Sequence, residues 1–484
     1  MTVLEQLIFA TIAFLVISVL IFYWRRKRLY NLADKIPGEN GLPFLGVLHK
    51  FTKSDLNEYH KEIMKLILKN KPISKTWFGP QFVILTEDAE CIHKILNSSH
   101  TQNKPSYFYK GMMIDEGLLA INGHQYDKHR KILNKSFTPN MLQKFIPTFN
   151  EKSRVCMMNL SKRLSSDEAF DIFKYVGACT LDSFISGHYN YDQNFYDSDL
   201  VKIIEESRSL VMKKVVRPWY NIKILFKNSS LRHQMEYYYE RLLRILNDIK
   251  TNNLQNPNTK LPDLVLNLLM KSKNNFTEEE IRDEMITFIY AGYETTAISL
   301  SSILLMLAMH KDVQQKVIDE IDEIVSSNEE ISNETLLKFS YVELVIKESL
   351  RLFPAAGITG RQSTEEIELA DYTIPKGTLF VLSIFDMQRS SKYWGDDALQ
   401  FNPDRFLPEN IENVNSHAYV PFSGGKRICI GWKYSMIFMK IFLIHFFKNY
   451  TIDTKQEFKD INFDIIPLMI ISQGYMINIQ KRQK

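Results

Sequence analysis

The sequence is poor in cysteine, has no strong charge bias and lacks repeats and low-complexity tracts. Only four cysteines occur among 484 residues, so in a cytosolic chain we expect reduced thiols and no disulfide framework. The formal net charge is +4, with basic and acidic residues interspersed, which gives no nucleic-acid footprint. No G-x-G-x-x-G fingerprint for a flavin or nicotinamide occurs, so if the protein carries out a redox reaction, another protein must supply the electrons. This length allows one very large domain or up to about three ordinary ones.

One long hydrophobic run lies at the start of the chain. Residues 7–24 (LIFATIAFLVISVLIFYW) carry no charge and are long enough to cross roughly 30 Å of hydrocarbon. Glu5 precedes the run and no A-x-A pattern follows it, unlike a cleaved signal peptide. A basic cluster, Arg25 to Arg28, comes next, and the positive-inside rule then keeps the rest of the chain in the cytosol. We predict an uncleaved membrane anchor at 1–24, with a buried core helix as the alternative.

The rest of the chain has mainly helical periodicity. A basic and Pro/Gly-rich linker is predicted at 25–48, followed by one large domain at 49–484. Alternation typical of strands is confined to short stretches, notably 75–86 and 372–385. A polar stretch at 250–263 is predicted to be a surface loop between two helices. These patterns predict a mainly α fold with a small β region.

The longest predicted helix begins in the stretch FTEEEIRDEM. Thr277 can cap it and Glu280 can complete a capping box, while His310 and Lys311 suit its C-terminal end. The helix spans about 30 residues, or about 45 Å at a rise of 1.5 Å per residue. Because its second half is so apolar, we expect it to cross the middle of the domain.

A lone cysteine lies among glycines and basic residues in PFSGGKRICIG, residues 421–431. A phosphate-binding P-loop is excluded, because Val420 replaces its first glycine and Arg427 its Ser/Thr. No second cysteine at C-x-x-C spacing supports a redox site, and no nearby Cys or His supports zinc. A single thiolate ligand, Cys429, remains for a cofactor that brings its other ligands, and haem is the obvious one. A predicted helix at 431–447 would bring helix-start N–H groups near the sulfur.

The same loop matches every fixed position of F-x-x-G-x-R-x-C-x-G, so the chain resembles the cytochrome P450 superfamily. The matching residues are Phe422, Gly425, Arg427, Cys429 and Gly431. The resemblance covers essentially the whole chain and is closest to the animal family 4 branch, on SYVELVIKESLRLFP, FNPDRFLPEN and YVPFSGGKRICIG. It implies the superfamily fold and a haem whose iron is held by Cys429, which makes 49–484 a haem-thiolate catalytic domain.

The stretch AGYETT, at 291–296, is similar to the family's oxygen-activating pattern. Thr295 supplies a hydroxyl, Glu294 an acid, and Gly292 a weak point in the helix that would admit water. The resemblance assigns Glu294 and Thr295 to proton delivery. Family 4 members often carry a glutamate directly before this glycine and esterify the haem through it, whereas this chain has Ala291. We therefore predict a non-covalent haem b.

The resemblance also implies cofactor contacts and a structural network. Of the family's W-x-x-x-R pattern for the haem propionates, Tyr126 replaces the tryptophan and Arg130 is retained. Glu348 and Arg351 lie on one helix face, and such a pair needs a further partner when buried. The propionate ligands implied are Tyr126, Arg130, Arg361 and Arg427, and the structural network is Glu348, Arg351 and Arg405.

The resemblance implies a membrane-anchored monooxygenase. One atom of O2 would enter an apolar substrate, such as a fatty acid, another lipid, a hormone or a xenobiotic, and the other would leave as water. Electrons would come from NADPH-cytochrome P450 reductase, with cytochrome b5 as an optional second donor. The anchor would cross the endoplasmic reticulum membrane once, with the catalytic domain in the cytosol. The substrate pocket would include 355–359 and the segment before Ala291. The face that receives the reductase would include Lys131, Lys135, Lys426 and Lys433.

Two alternative functions stay open. A haem-thiolate isomerase or dehydratase would rearrange hydroperoxides without oxygen or a reductase, and that chemistry does not need Glu294 and Thr295. A non-enzymatic haem or lipid binder would keep the anchor and Cys429 but have a blocked pocket. Turnover that depends on NADPH and oxygen separates the first alternative from the monooxygenase.

Overall fold

A computed structural model describes residues 2–51, 61–66, 70–109, 114–164, 168–193, 195–196, 198–215, 217–221, 223–256, 261–272, 275–325, 330–464 and 468–482. Helices dominate this part of the chain and the strands are short. The predicted mainly α fold with a small β region is therefore confirmed.

The helices differ widely in length, from single turns to a helix of 32 residues. They are α1 Val3–Arg25, α2 Lys27–Ala33, α3 Ala89–Asn97, α4 Ser106–Tyr109, α5 Gly123–Leu133, α6 Pro139–Ser161, α7 Phe173–Tyr189, α8 Asp199–Val215, α9 Lys223–Lys227, α10 Ser230–Gln255, α11 Val265–Lys271, α12 Glu278–Met309, α13 Lys311–Ile324, α14 Asn333–Leu336, α15 Tyr341–Leu352, α16 Ile384–Met387, α17 Ser391–Trp394, α18 Pro408–Ile411 and α19 Trp432–Asn449. Short 3-10 turns link several of them, including Pro403–Phe406 and Gly425–Arg427.

The strands form small sheets at the edge of the helical body. They are β1 Ser74–Phe78, β2 Gln81–Thr86, β3 Phe170–Asp171, β4 Ile358–Gln362, β5 Ile367–Leu369, β6 Tyr372–Ile374, β7 Leu379–Ser383, β8 Tyr450–Asp453, β9 Phe463–Asp464, β10 Ile470–Ile471 and β11 Met476–Lys481. The larger sheet has the order β1-β2-β7-β4, a smaller one has the order β3-β11-β8, and β5-β6 and β9-β10 are two-stranded antiparallel sheets.

The larger sheet follows from the two alternating stretches of sequence. β1 and β2 are antiparallel, with Phe78 opposite Gln81 across a two-residue turn at Gly79 and Pro80. Gly79 has φ +57°, a backbone conformation that favours glycine. β7 pairs in parallel with β2 and antiparallel with β4. Arg361 of β4 therefore lies on an edge strand of this sheet.

The predicted long helix is confirmed as α12. Thr277 caps its N-terminus, and Thr277 and Glu280 form the predicted capping box. His310 is its C-cap residue, and Lys311 begins the next helix, α13. Nearly all of its second half is buried, since it packs against helices on several sides, including α7, α15 and α19. The helix therefore crosses the core, as its apolar composition predicts.

The described residues include two helices long and apolar enough to span a membrane, α1 and α12. The apolar window of α12 is mostly buried in the core, whereas that of α1 is not buried at all. An apolar helix with its side chains exposed along its length fits a membrane anchor and does not fit the alternative of a core helix.

Two local predictions differ from the structure. Helix α10 continues to Gln255, so the first part of the predicted loop at 250–263 is helical, and residues 257–260 lie outside the described residues. The helix ends where Asn256, Pro257 and Asn258 follow, because proline disfavours helical backbone in the residue before it. The predicted linker at 25–48 also contains a helix, α2.

Candidate functional site

The predicted ligand Cys429 ends a tight loop that precedes helix α19. Its backbone N–H donates to the carbonyl oxygen of Phe422 at 3.0 Å, which closes the loop. Gly425 has φ +62°, and a Cβ at this position would lie 2.0 Å from the carbonyl oxygen of Leu96. Only glycine fits this approach of the loop to helix α3. The loop is therefore held at a fixed distance from its neighbours, with Cys429 at its end.

Cys429 is enclosed by the domain at the start of helix α19, yet it keeps accessible surface. Burial raises the pKa of the thiol, whereas the N–H of Gly431 and the charge of Arg130 lower it. The other three cysteines are packed in the core, but Cys429 keeps free surface. The one cysteine that the motif predicts as a ligand is thus the one whose side chain can reach a bound group.

Helix α12 also has open surface in one short stretch. Ala291 is exposed and Gly292 and Thr295 are half-buried, although the intervening Tyr293 and Glu294 are buried. Free surface on the core helix and on the Cys429 sulfur fits a large, flat group enclosed within the domain.

The hydroxyl of Thr295 is engaged with its own helix. Its Oγ1 donates to the carbonyl oxygen of Ala291 at 2.6 Å, a bond typical of threonine inside a helix. The helix is continuous through Gly292, so the expected weak point is not a break. Instead, a Cβ on Gly292 would lie 2.2 Å from a ring carbon of Phe184, so this glycine permits close packing of α12 on α7.

Glu294 is a buried acid with one cationic partner. Its Oε1 lies 2.5 Å from Nε of Arg208 on helix α8, and only 3% of the Glu294 side chain is exposed. The pKa of this carboxyl is raised to about 7, mainly by burial, which outweighs the charge of Arg208, and to a smaller extent by the negative charge of Glu205. A carboxyl with a pKa near neutrality can both hold and release a proton at physiological pH.

Three buried cations lie close together around β4. The exposed fractions of Lys104, Arg361 and Arg427 are 8%, 0% and 9%. Burial and the charges of the two arginines lower the pKa of Lys104 well below its ordinary value. Burial likewise lowers the pKa of Arg361, and that of Arg427 to about 10. Such a concentration of positive charge is costly unless an anion accompanies it.

No carboxylate forms an ion pair with Lys104 or Arg361 among the described residues. The Lys104 amine donates to the hydroxyls of Tyr109 at 3.2 Å and Thr359 at 3.3 Å. Arg361 donates to the hydroxyl of Ser423 at 2.9 Å, and its Nε is buried without a hydrogen-bond partner. An unpartnered, buried donor in an unneutralised cationic cluster fits the two carboxylates of a haem.

Hydrogen bonds and a stacking contact hold the Cys429 loop against helix α5 and the segment before it. The Arg427 guanidinium stacks 3.5 Å from the centre of the Tyr126 ring, and the Tyr126 hydroxyl donates to the carbonyl of Lys426 at 2.9 Å. Arg130 donates to the carbonyl of Ile428 at 2.9 Å. Arg427 itself donates to four oxygens, the carbonyls of Gln102, Leu118 and Ile121 and the side chain of Asn122. These bonds leave one of its five N–H groups for a ligand.

The predicted structural network forms as a buried cluster. Arg351 donates two hydrogen bonds to the Glu348 carboxylate, from Nε at 2.7 Å and from Nη2 at 2.8 Å, and both side chains are fully buried. Nε of Arg405 lies 3.5 Å from the same carboxylate. Asp397, which the sequence did not single out, lies 2.5 Å from Arg405 and neutralises it. The backbone N–H of Asn402 also donates to Glu348 at 2.9 Å.

The predicted pocket segment 355–359 leads into β4. Ala356 is exposed and Ile358 and Thr359 are half-buried, so part of the segment has accessible surface. The hydroxyl of Thr359 accepts from Lys104 and from Arg361, at 3.3 and 3.2 Å. Thr359 therefore joins this segment to the buried cations, and its place in a substrate pocket stays a prediction.

The four predicted docking lysines are exposed. Lys131 and Lys135 lie at the end of helix α5 and just beyond it, Lys426 in the Cys429 loop and Lys433 in the first turn of α19. Lys426 forms an ion pair with Asp127 at 2.5 Å, and the Lys433 amine lies 5.2 Å from the ring centre of Trp432.

Two residues of the candidate site, Lys104 and Arg208, are not predicted by any sequence motif. Lys104 lies in a short segment, QNKPSYFY, that matches no motif, and only the fold brings it to Arg361. Arg208 lies on α8, more than eighty residues before Glu294. Three apolar residues around it, Leu210, Val211 and Met212, mark a buried helix but give no indication that Arg208 faces an acid.

A family model and several known proteins that resemble the chain all point to the same family. The family model described as Cytochrome P450 matches residues 36–479. "Probable cytochrome P450 313a1" of Drosophila melanogaster is 30% identical over 487 residues, covering 95% of this chain and 96% of that protein. "Cytochrome P450 4c3" of the same organism is 30% identical, covering 93% and 90%. The human "Cytochrome P450 4V2" is 28% identical, covering 89% and 86%.

Proposed function

The chain belongs to the cytochrome P450 family, and we propose that Cys429 is the thiolate that would hold the iron of its haem. The protein is a haem-thiolate monooxygenase, and the bound haem supplies the activation of dioxygen for that reaction. The observation that carries the proposal is the free surface of Cys429 at the end of a braced loop. Phe422, Gly425 and Gly431 shape this loop, with Gly431 donating its N–H to the sulfur.

Arg361 and Lys104 are the proposed principal ligands of the haem propionates. Both are buried without a carboxylate partner among the described residues, and both donate to hydroxyls that a carboxylate could replace. Arg427 has one free N–H, while Tyr126 and Arg130 hold the loop in position through backbone carbonyls. This haem is proposed to be haem b without a covalent link, since Ala291 offers no carboxylate for an ester.

Glu294 and Thr295 are proposed to deliver the protons that the reaction consumes. A carboxyl whose pKa is about 7 can take a proton from solvent and pass it on. Rotation of the Thr295 hydroxyl away from the Ala291 carbonyl would make it available as the last donor. Arg208, which is partly exposed, links the acid to the surface through helix α8.

The substrate is proposed to be an apolar molecule, such as a fatty acid, another lipid, a hormone or a xenobiotic. The proposed electron donor is NADPH-cytochrome P450 reductase, with cytochrome b5 as an optional second donor. Docking would use the exposed lysines around the Cys429 loop. The proposed organisation is an anchor at 1–24, a linker at 25–48 and a catalytic domain at 49–484, with one crossing of the endoplasmic reticulum membrane and the catalytic domain in the cytosol.

The absorption spectrum of the reduced, carbon monoxide-bound protein tests the thiolate assignment. We expect a strongly red-shifted Soret band in the wild type, lost in Cys429→Ser and retained in the matched variant Cys91→Ala. An unshifted band in folded wild type would contradict the assignment. Oxygen-dependent turnover with NADPH and the reductase then tests the donor, because rearrangement of hydroperoxides without them would indicate the isomerase or dehydratase. Extraction into acidified organic solvent should release the haem, and its retention would contradict the non-covalent link.

A further inference from the structure

A second buried acid, Glu284, lies on helix α12 about two turns before the exposed Ala291. Its Oε1 lies 2.7 Å from Nδ1 of His129 on helix α5, and neither side chain has exposed surface. Burial raises the pKa of Glu284, whereas the contact with His129 and the backbone N–H of Leu118 lower it. Two titratable groups are thus in direct contact inside the domain, and the function proposed above uses neither of them.

The His129 ring is connected to the protein surface through Glu280, in the first turn of α12. Nε2 of His129 lies 3.4 Å from Oε1 of Glu280, and 15% of the Glu280 side chain is exposed. The side-chain amide of Gln125 donates to the same Oε1 at 2.8 Å and to Glu116 at 2.9 Å, which fixes the carboxylate beside the ring. A carboxylate in contact with solvent therefore lies next to the buried imidazole, where it can pass on a proton.

Three buried polar atoms near this pair have no hydrogen-bond partner among the described residues. They are Nε2 of His129, Oε2 of Glu284 and Oγ1 of Thr287. A Cβ on Gly117 would lie 2.0 Å from the Thr287 hydroxyl, so this hydroxyl lies against bare backbone. Buried polar atoms that the protein leaves unpaired are costly, and ordered water is their common partner. This region therefore suits water molecules that carry protons between the side chains.

The same side of α12 leads from this region to the candidate site. It carries, at spacings of four, three, four and four residues, Glu280, Glu284, Thr287, Ala291 and Thr295. Thr287 and Thr295 are eight residues apart, which is about 12 Å along the helix. Ala291 is exposed and Thr295 is half-buried, so the row of polar side chains ends at free surface.

We propose that His129 and Glu284 form a second proton path to Thr295, parallel to the one through Glu294. The inference rests on the proposed function, because Thr295 is its last proton donor. The two paths reach α12 from different neighbours, since His129 lies on α5 and the partner of Glu294, Arg208, lies on α8. Loss of either path would therefore leave the other intact.

The transfer along this path consists of proton exchanges alone. Glu280 gives a proton to Nε2 of His129, and the ring releases its Nδ1 proton to Oε1 of Glu284. Glu284 passes a proton to water bound at Thr287, and water along α12 carries it to Thr295. Return of the ring to the tautomer with a proton on Nδ1 completes the cycle. Each exchange breaks one bond to hydrogen and forms another, so no electron or co-reactant is consumed.

Exchange of the His129 ring proton with water tests the path without turnover. The reduced, carbon monoxide-bound holoprotein is labelled with 15N-histidine, and the His129 signal is the one lost in His129→Asn. His188 is the internal control, because its ring is equally buried and contacts Ser136 at 3.2 Å among aromatic side chains. The His129 proton should exchange at least about ten times faster than that of His188. Equal, slow exchange of both would overturn the inference.

Removing the two paths singly and together tests whether they are parallel. NADPH oxidation by the holoprotein is measured with the reductase and oxygen, without added substrate, in Glu284→Gln, Glu294→Gln and the double variant. Each single change should lower the rate about two- to tenfold, and the double change should lower it by more than the product of the two effects. Glu278→Gln, which alters an exposed acid at the start of the same helix, should leave the rate unchanged.

His129→Asn separates proton transfer from a structural role. Its amide keeps a donor toward Glu284 but cannot carry a proton onward, so its rate should match that of Glu284→Gln. A wild-type rate in His129→Asn, or a double variant no slower than the product of the single effects, would reject the second path. The carbon monoxide-bound spectrum shows that each variant is folded. Absence of NADPH oxidation in the wild type would reject the proposed function instead, and the ring-proton exchange would then decide whether the path exists.

Discussion

Two buried arginines, Arg351 and Arg361, differ in the source of the negative charge that would neutralise them. Arg351 has no exposed surface, and the protein itself provides its anion, Glu348, in a bidentate contact. Arg361 has no exposed surface either, yet no carboxylate of the described residues pairs with it, and a second cation, Lys104, lies nearby. Both groups bear the same cost of burying charge.

The difference separates a structural cluster from a ligand site. The Glu348 group is complete without any bound molecule, so it can stabilise the fold whether or not the haem is bound. The Lys104 and Arg361 group has an unused buried donor and lowered pKa values, and it becomes favourable only when an anion arrives. Variants in the two groups should therefore have opposite effects on the haem-free protein.

Glu348→Gln should have the largest effect on stability. It leaves Arg351 buried without its anion, and breaking one side of such a pair costs about 3–5 kcal/mol. Denaturant unfolding of the haem-free protein measures the loss, so that it can be compared directly with the effect of Arg361→Met. The matched control is Lys392→Met, which removes a pair with Asp88 in which Lys392 is 63% exposed, and such pairs contribute about 0–1 kcal/mol. A cost below that of the control would remove the distinction between the two groups.

Arg361→Met should weaken haem binding without destabilising the haem-free chain. A hydrogen bond to a charged group contributes about 1.5–3 kcal/mol, so haem should dissociate roughly 10 to 100 times faster. Transfer of haem to an excess of apomyoglobin measures this rate. The haem-free variant should unfold at the same or a higher denaturant concentration, since a desolvated cation has been removed.

The control for Arg361→Met is Lys433→Met, which removes an exposed cation next to the Cys429 loop. It should change neither the rate of haem loss nor the unfolding midpoint. A haem-free Arg361→Met protein that is less stable than wild type by several kcal/mol would mean that Arg361 belongs to the structural class.

The sequence predicts the complete group better than the incomplete one, for a physical reason. Glu348 and Arg351 are three residues apart on one helix, and Cys429 lies in a turn closed by the hydrogen bond from its own N–H to the carbonyl oxygen of Phe422. Local geometry dictates such features. The boundaries of α12 were predictable for the same reason, since the capping residues adjoin the helix they cap.

Contacts between distant elements could not be predicted in this way. Lys104 reaches Arg361 only after the segment before α4 folds over β4, and Arg208 reaches Glu294 only after α8 packs on α12. The close approach of α12 to α7 also gives Gly292 a packing role that its sequence context does not reveal. Each of these depends on tertiary packing, which no motif in the chain encodes.

Arg208→Met should raise the pKa of Glu294. The Arg208–Glu294 ion pair is intermediate in burial between the Glu348 group and the exposed surface pairs. Its acid is buried and its cation partly exposed, and the pKa of about 7 is the balance between burial, which raises it, and the charge of Arg208, which lowers it. The carbonyl stretch of the protonated carboxyl, followed by infrared difference spectroscopy, should titrate near pH 7 in wild type. It should titrate at higher pH in Arg208→Met and be absent in Glu294→Gln.

The same titration predicts how stability depends on pH. The folded pKa of Glu294 exceeds the ordinary value of 4.5, so the folded protein binds more protons than the unfolded chain between these two values. This contribution to stability is present below pH 4.5 and is lost as the pH rises to about 7, by an amount on the order of 1–3 kcal/mol. Glu294→Gln should remove this decline, and Glu205→Gln should leave most of it. An unchanged decline in Glu294→Gln would contradict the assignment.

Lys433→Ala should have the smallest effect, and one confined to electron transfer. The exposed lysines around the Cys429 loop form a third class of cation, for which the proposed counter-charge is on another protein. The apparent KM for the reductase should rise about two- to fivefold at low salt, and the difference should vanish near 1 M salt, where the screening length falls to about 3 Å. Stability should change by less than about 0.5 kcal/mol, because the side chain is exposed. Lys392→Ala, which removes a lysine that is exposed but paired with Asp88, should leave the KM unchanged. An equal rise in both variants, or a rise that persists at high salt, would mean that net charge or local structure is responsible, rather than a docking contact at Lys433.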